Sequence, residues 1–149
     1  MRAVLQRVTG ARVTVGDRVV GEIARGLLAL VGVEAGDGPD DVEFVARKIR
    51  DLRVFADAQG RMNLSIVDVG GAVLVVSQFT LLGDCRRGRR PSFDAAALPD
   101  DARTRYEEVV SALRRDGVTV ATGEFQAMMR IELVNDGPVT LWLDSRRLS

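Results

Sequence analysis

The chain contains no histidine among its 149 residues. No Ser-His-Asp or Cys-His catalytic device can be built from it. No imidazole is present to move protons near pH 7 or to ligate zinc. Cysteine is nearly as scarce. Cys85 stands alone, which excludes an internal disulfide and a cysteine-rich metal site. A single free thiol fits a reducing compartment, so the expected setting is the cytoplasm. No apolar run reaches the roughly 18 residues of a membrane span. The opening Met1-Arg2-Ala3-Val4-Leu5-Gln6-Arg7 lacks a signal-peptide core. Lysine is reduced to Lys48 beside 20 arginines, a bias that genome composition accounts for most simply. Basic and acidic residues balance at 21 each, so the chain has no net field to hold nucleic acid or membrane indiscriminately.

What is present reads as a globular protein. Apolar residues make up 46% and charged residues 28%. The length suits one domain, and a single domain over 1–149 is expected. Alternation at Val4, Gln6, Val8 and again at Val13 and Val15 predicts strands. Gly16-Asp17 then offers a hairpin turn, and Leu27–Val33 reads as a buried central strand. The acidic stretch from Glu34 to Glu43 is a metal site or a helix start. The helix start explains it better: Asp37 or Gly38 can cap, Pro39 suits the first turn, and Val42, Val45, Ala46, Ile49 and Leu52 follow at helical spacing. A helix is predicted over roughly 39–51, and a second, by similar signals, over about 99–115.

Short strands are expected at Arg53–Phe55 and around Met62–Leu64. The run Ala72–Val76 is the most strand-like in the chain and leads directly into Ser77-Gln78-Phe79-Thr80-Leu81. Val118–Val120, Met128–Val134 and Val139–Leu143 complete the strands, with Asn135-Asp136-Gly137-Pro138 as a turn between the last two. Many antiparallel-type strands with two inserted helices predict the α+β class rather than a doubly wound parallel sheet.

Three places could carry chemistry. Ser77-Gln78-Phe79-Thr80 sits where a buried strand surfaces, a common position for a site and also an ordinary place for polar residues. Without histidine, a nucleophilic Ser or Thr would need a carboxylate, a lysine or the substrate as its base. Arg86, Arg87, Arg89 and Arg90 put four guanidinium groups in five residues. They form either a solvated loop or a grip on one oriented phosphate ligand. Gly137-Pro138 exposes backbone carbonyls with little shielding, in a peptide whose usual state is trans. Phe125, Met128 and Met129 serve as core or as pocket lining.

The chain resembles the D-aminoacyl-tRNA deacylase family. The resemblance rests on Ser77-Gln78-Phe79-Thr80-Leu81 and Asn135-Asp136-Gly137-Pro138-Val139-Thr140. The opening eight residues, Met62-Asn63-Leu64-Ser65 and Arg90-Pro91-Ser92-Phe93 also fit, in order and over essentially the whole chain. The resemblance implies a homodimer of curved antiparallel sheets forming a barrel-like core with two main helices. It implies no cofactor, no metal, no membrane and no DNA, with the aminoacylated 3′ end of tRNA as partner. The implied reaction is hydrolysis of the ester joining a D-amino acid, or glycine mischarged on tRNA-Ala, to that end.

By the same resemblance, Gly137-Pro138 would be a cis peptide inserted into the partner's pocket, where its carbonyls reject L-amino acids. Arg7 would help hold that loop. Ser77, Gln78, Phe79 and Thr80 would form the catalytic wall, with the N–H groups of Phe79 and Thr80 near the scissile carbonyl. Phe125 and Met129 would border the pocket, and Ala102 would lie near the terminal adenosine. Arg86, Arg87, Arg89 and Arg90 would contact tRNA phosphate. An activated ester needs no strong nucleophile, so the ribose 2′-hydroxyl can assist, and Thr80 as a covalent nucleophile is the competing mechanism. Two other classes stay open: a non-catalytic dimeric module that binds RNA ends, and a free-peptide or amino-acid hydrolase.

Overall fold

The computed structural model describes residues 1–147. The opening alternation builds β1 (Arg2–Val15), but the alternation changes phase partway. Ala3, Leu5, Ala11 and Val13 are all odd-numbered, yet Ala11 and Val13 face the way of Val8, because the register slips between Val8 and Gly10. A slip in register turns side chains to the opposite face. The first pair therefore joins one core cluster, and Val8, Ala11 and Val13 join a second.

β1 turns at Gly16 into β2 (Arg18–Ile23). β3 (Gly26–Gly32) is buried almost throughout, as its unbroken apolar run predicts. α1 (Pro39–Asp51) and α2 (Pro99–Arg115) begin at proline and end within a residue of the predicted limits. The acidic stretch does serve the helix start, since Asp41 accepts the Gly38 N–H at 2.8 Å. β4 (Phe55–Ala56) and β5 (Met62–Leu64) form a small antiparallel ribbon. β6 (Ala72–Ser77), β7 (Thr119–Thr122) and β8 (Arg130–Asp144) complete the strands.

The sheet is mixed, not antiparallel throughout. Its order is β2-β1-β3-β6-β7, with β8 along the other edge of β1. β3–β6 and β6–β7 are parallel. The reason is connectivity: each parallel pair needs a long crossover, and the two helices supply one each. The α+β class and the two helices stand as expected. Val73 and Val75 of β6 face α1 and α2, whereas Leu74 and Val76 face the second cluster with Leu28, Val8 and Val13. The sheet curls until β2 approaches β7. A Cβ on Gly21 would lie 2.1 Å from the Thr122 carbonyl oxygen, so only glycine permits this near closure. The result is a nearly closed, barrel-like sheet with helices against one side.

Two buried polar groups tie these layers. Tyr106 of α2 donates to the Val75 carbonyl at 2.7 Å. Burial pushes its phenol up to about 12. Tyr106 is the only tyrosine, so phenolate absorbance reports it alone. The expected midpoint is about 12 folded, against about 10 in denaturant. A raised folded value means that its stabilising contribution is complete below pH 10 and is lost as pH climbs from 10 to 12. A folded midpoint near 10 would refute this. The second group is Asp37, which accepts from the Met1 amine at 3.0 Å, the Glu34 N–H at 2.7 Å and Arg146 Nη2 at 3.0 Å.

Candidate active site

β6 ends in a sharp turn rather than running on. Gln78 gives its N–H to the Val31 carbonyl at 2.8 Å, and then Phe79–Leu82 close into a 3₁₀ turn. Leu81 N–H donates to the Gln78 carbonyl at 3.2 Å. The first N–H groups of such a turn have no partner within it. Among the described residues, those of Phe79 and Thr80 donate no hydrogen bond. Both residues are exposed. The Gln78 side-chain amide donates to Thr80 Oγ1, so that hydroxyl is already engaged.

The arginine loop stands beside this turn. Asp84 and Ser92 exchange backbone hydrogen bonds of 2.7 and 2.9 Å and close its base. Phe93 meets the Phe79 ring edge-on at 5.2 Å between centroids. Arg86 is held by Asp84 through Nε at 2.9 Å and Nη2 at 2.8 Å, and this lowers the Asp84 carboxyl to about 2. Arg87 and Arg90 share an open groove with Arg86, Asp84 and Ser92. Arg89 lies outside that lining. Among the described residues Arg87, Arg89 and Arg90 make no ion pair, whereas Arg86 is committed to building the loop.

Asn135–Pro138 does not reverse the chain, contrary to the turn expected there. β8 runs through it and pairs with β1 on both sides. Gln6 faces Thr140 and Val8 faces Asn135, so residues 136–139 stand opposite Arg7 alone. Three extra residues in the ladder push Gly137 and Pro138 out of the sheet. Their peptide bond is cis. Arg7 Nε donates to the Asp136 carbonyl at 2.9 Å, and Nη1 reaches the Val54 carbonyl at 2.6 Å.

Phe125 and Met129 flank the end of β6 from opposite faces, Phe125 with the helix-side cluster and Met129 with the other. The Phe125 ring lies 6.0 Å from Tyr106 and 4.7 Å beneath the Arg103 guanidinium. Ala102 is buried on the Tyr106 face of α2, one turn earlier. These residues therefore gather around Ser77–Thr80. Gly137–Pro138 does not join them within one chain. Arg7 is level with Leu27 and Val73, which places the loop three strands and four residues from Ser77. By strand spacing that is on the order of 15–20 Å. Sequence reasoning missed three participants. Asn135 was legible only as a turn former, while the Val54 carbonyl and Arg103 carry no sequence signal. Among the described residues, no group of three or more His, Cys, Asp or Glu converges to hold a metal ion, and no helix is long and apolar enough to cross a membrane.

Comparison with known proteins finds relatives over nearly the whole chain. The family model described as "D-Tyr-tRNA(Tyr) deacylase" matches residues 4–144. A D-aminoacyl-tRNA deacylase of Syntrophotalea carbinolica is 58% identical over 148 residues, 99% of each chain. One from Heliobacterium modesticaldum is 60% identical over 146 residues, 98% of this chain and 97% of that one. A solved structure described as "c-Myc DNA Unwinding Element Binding Protein" superposes with a TM-score of 0.92 at 38% identity, covering 97% of this chain and 98% of that one. Another, "Structural Analysis of a probable eukaryotic D-amino acid tRNA deacylase", shares the fold with a TM-score of 0.80 at 15% identity, covering 95% of this chain and 97% of that one. With a family model spanning nearly the whole length and relatives near 60% identity, the chain belongs to the D-Tyr-tRNA(Tyr) deacylase family.

Proposed function

We propose that this protein hydrolyses the ester of D-aminoacyl-tRNA, with glycyl-tRNA as a second substrate, and works as a homodimer. The observation that carries the reading is the excursion at 136–139, which presents bare Gly137–Pro138 backbone outside the ladder. Its carbonyls act as a wall that a D-amino acid clears and an L side chain strikes. The opposite wall is Ser77–Thr80 of the second copy. Two features support that assembly. The walls are too far apart within one chain, and β8 has an unpaired edge with Val134 and Trp142 61% and 51% exposed.

The free N–H groups of Phe79 and Thr80 face the scissile carbonyl and stabilise its oxyanion. An aminoacyl ester is already activated, so orienting a water suffices, with the ribose 2′-hydroxyl moving the proton. Phe125 and Met129 border the pocket, and Ala102 lies toward the terminal adenosine. Arg87 and Arg90 receive tRNA phosphate, Arg89 adds local positive charge, and Arg86 shapes their loop.

Incubation with D-tyrosyl-tRNA and L-tyrosyl-tRNA tests the reading. Selective release of D-tyrosine supports it. Binding without release supports instead a module for nucleic-acid ends, the reading nearer to the DNA-binding name of one structural relative. Thr80→Ala separates the two mechanisms. The expected result is single-turnover hydrolysis within about tenfold of the parent, because the backbone N–H survives and only a hydroxyl is lost. Complete loss with tRNA binding intact would make Thr80 the nucleophile.

A further inference from the structure

The excursion at 136–139 has lost the ladder that holds the rest of β8, so something else must fix it. Arg7 secures its first residue, through the Asp136 carbonyl at 2.9 Å and the Asp136 carboxylate at 3.8 Å. The other end is closed by one side chain. Asn135 Oδ1 accepts the Val139 N–H at 2.8 Å, and Asn135 Nδ2 donates to the Val139 carbonyl at 3.3 Å. The same Nδ2 reaches Thr140 Oγ1 at 3.0 Å, which also accepts from Gln6 Nε2 at 3.3 Å. The amide thus imitates a strand partner, satisfying both backbone groups of Val139. Neither Gly137 nor Pro138 has a polar side chain with which to anchor itself. Only a group with an acceptor and a donor side by side does this, which is the chemistry of a carboxamide.

We propose that Asn135 is a positioning residue that sets the aim of the Gly137–Pro138 backbone, and through it the preference for D- over L-aminoacyl esters. The inference rests on the reading of that backbone as a chiral wall. Asn135 touches no reacting atom. Its loss lets Val139 drift, and the wall between the two clamps drifts with it.

The test measures kcat/KM for D-tyrosyl-tRNA and for L-tyrosyl-tRNA in the parent chain, Asn135→Ala, Asn135→Asp and Thr140→Val. The D-to-L ratio is expected to fall at least tenfold in Asn135→Ala. Asn135→Asp keeps the acceptor for Val139 but loses both donor contacts, and its ratio should lie between. Thr140→Val cuts the tie to Gln6 and should lower the ratio two- to threefold. A merely structural role lowers both substrates equally and leaves the ratio intact, which overturns the proposal. If Asn135→Ala fails to fold, unchanged ratios in the other two variants overturn it as well. A parent chain without D preference overturns the chiral-wall reading itself. A selective parent with indifferent variants overturns the role of Asn135 alone.

Discussion

Gly137→Ala is expected to lower kcat/KM for D-tyrosyl-tRNA by about two orders of magnitude, because displacing a wall of the reacting site by about 1 Å costs that much. Gly137 has φ +141°, where side chains other than glycine's are strained. A Cβ there would lie 2.9 Å from Val139 Cγ2 and 3.1 Å from both Arg7 Nη2 and the Val139 nitrogen. The two latter atoms belong to the groups that anchor the excursion, so the added methyl pushes on both anchors together. Relief has to come from the loop itself. Gly137 is exposed and outside both core clusters, so the fold should survive. Single-turnover release of D-tyrosine, with the melting temperature as control, checks the result. A folded variant within threefold of the parent would remove Gly137 from the site.

Asp37→Ala should cost about 3–5 kcal/mol of stability. Asp37 and the Met1 amine are a fully buried pair, 2.9 Å apart at closest. The carboxylate also accepts the Glu34 N–H and two donors of Arg146. Ser145 Oγ accepts a second hydrogen bond from the amine and donates to Asp41 at 2.6 Å. Removing the carboxylate strips the buried ammonium of its ion-pair partner and leaves it only the Ser145 hydroxyl, while Arg146 keeps Glu34. For a domain of this size the melting temperature should drop about 10 °C. Exposed Asp17 is the control, with an expected change below about 0.5 kcal/mol. A loss under about 1 kcal/mol at Asp37 would mean that water enters and solvates the cluster.

The two helices were legible because their signals are local. Pro39 and Pro99 mark the starts, and the apolar positions recur at the period of one face. The parallel pairs were not legible, since Ala72–Ser77 reads the same beside either strand direction. Asn135-Asp136-Gly137-Pro138 shows the opposite failure: its turn chemistry is strong, yet β1 lies opposite on both sides and keeps the chain in one strand. Arg7 and Asn135 complete that arrangement through contacts to carbonyls and N–H groups, which every residue possesses and no sequence pattern announces.

The sequence alone settled what chemistry was available. Without histidine and with one cysteine, it ruled out imidazole bases, internal disulfides and cysteine-rich metal sites, because a side chain that is absent cannot be supplied by folding. Its whole-length motifs also pointed to the family. The tertiary structure alone decided where that chemistry can occur. Curvature and crossovers bring Phe125, Met129 and α2 around the end of β6. Strand register holds Gly137–Pro138 some three strands away. Those outcomes depend on which strands pair and how far the sheet curls, and both are properties of the whole packed chain.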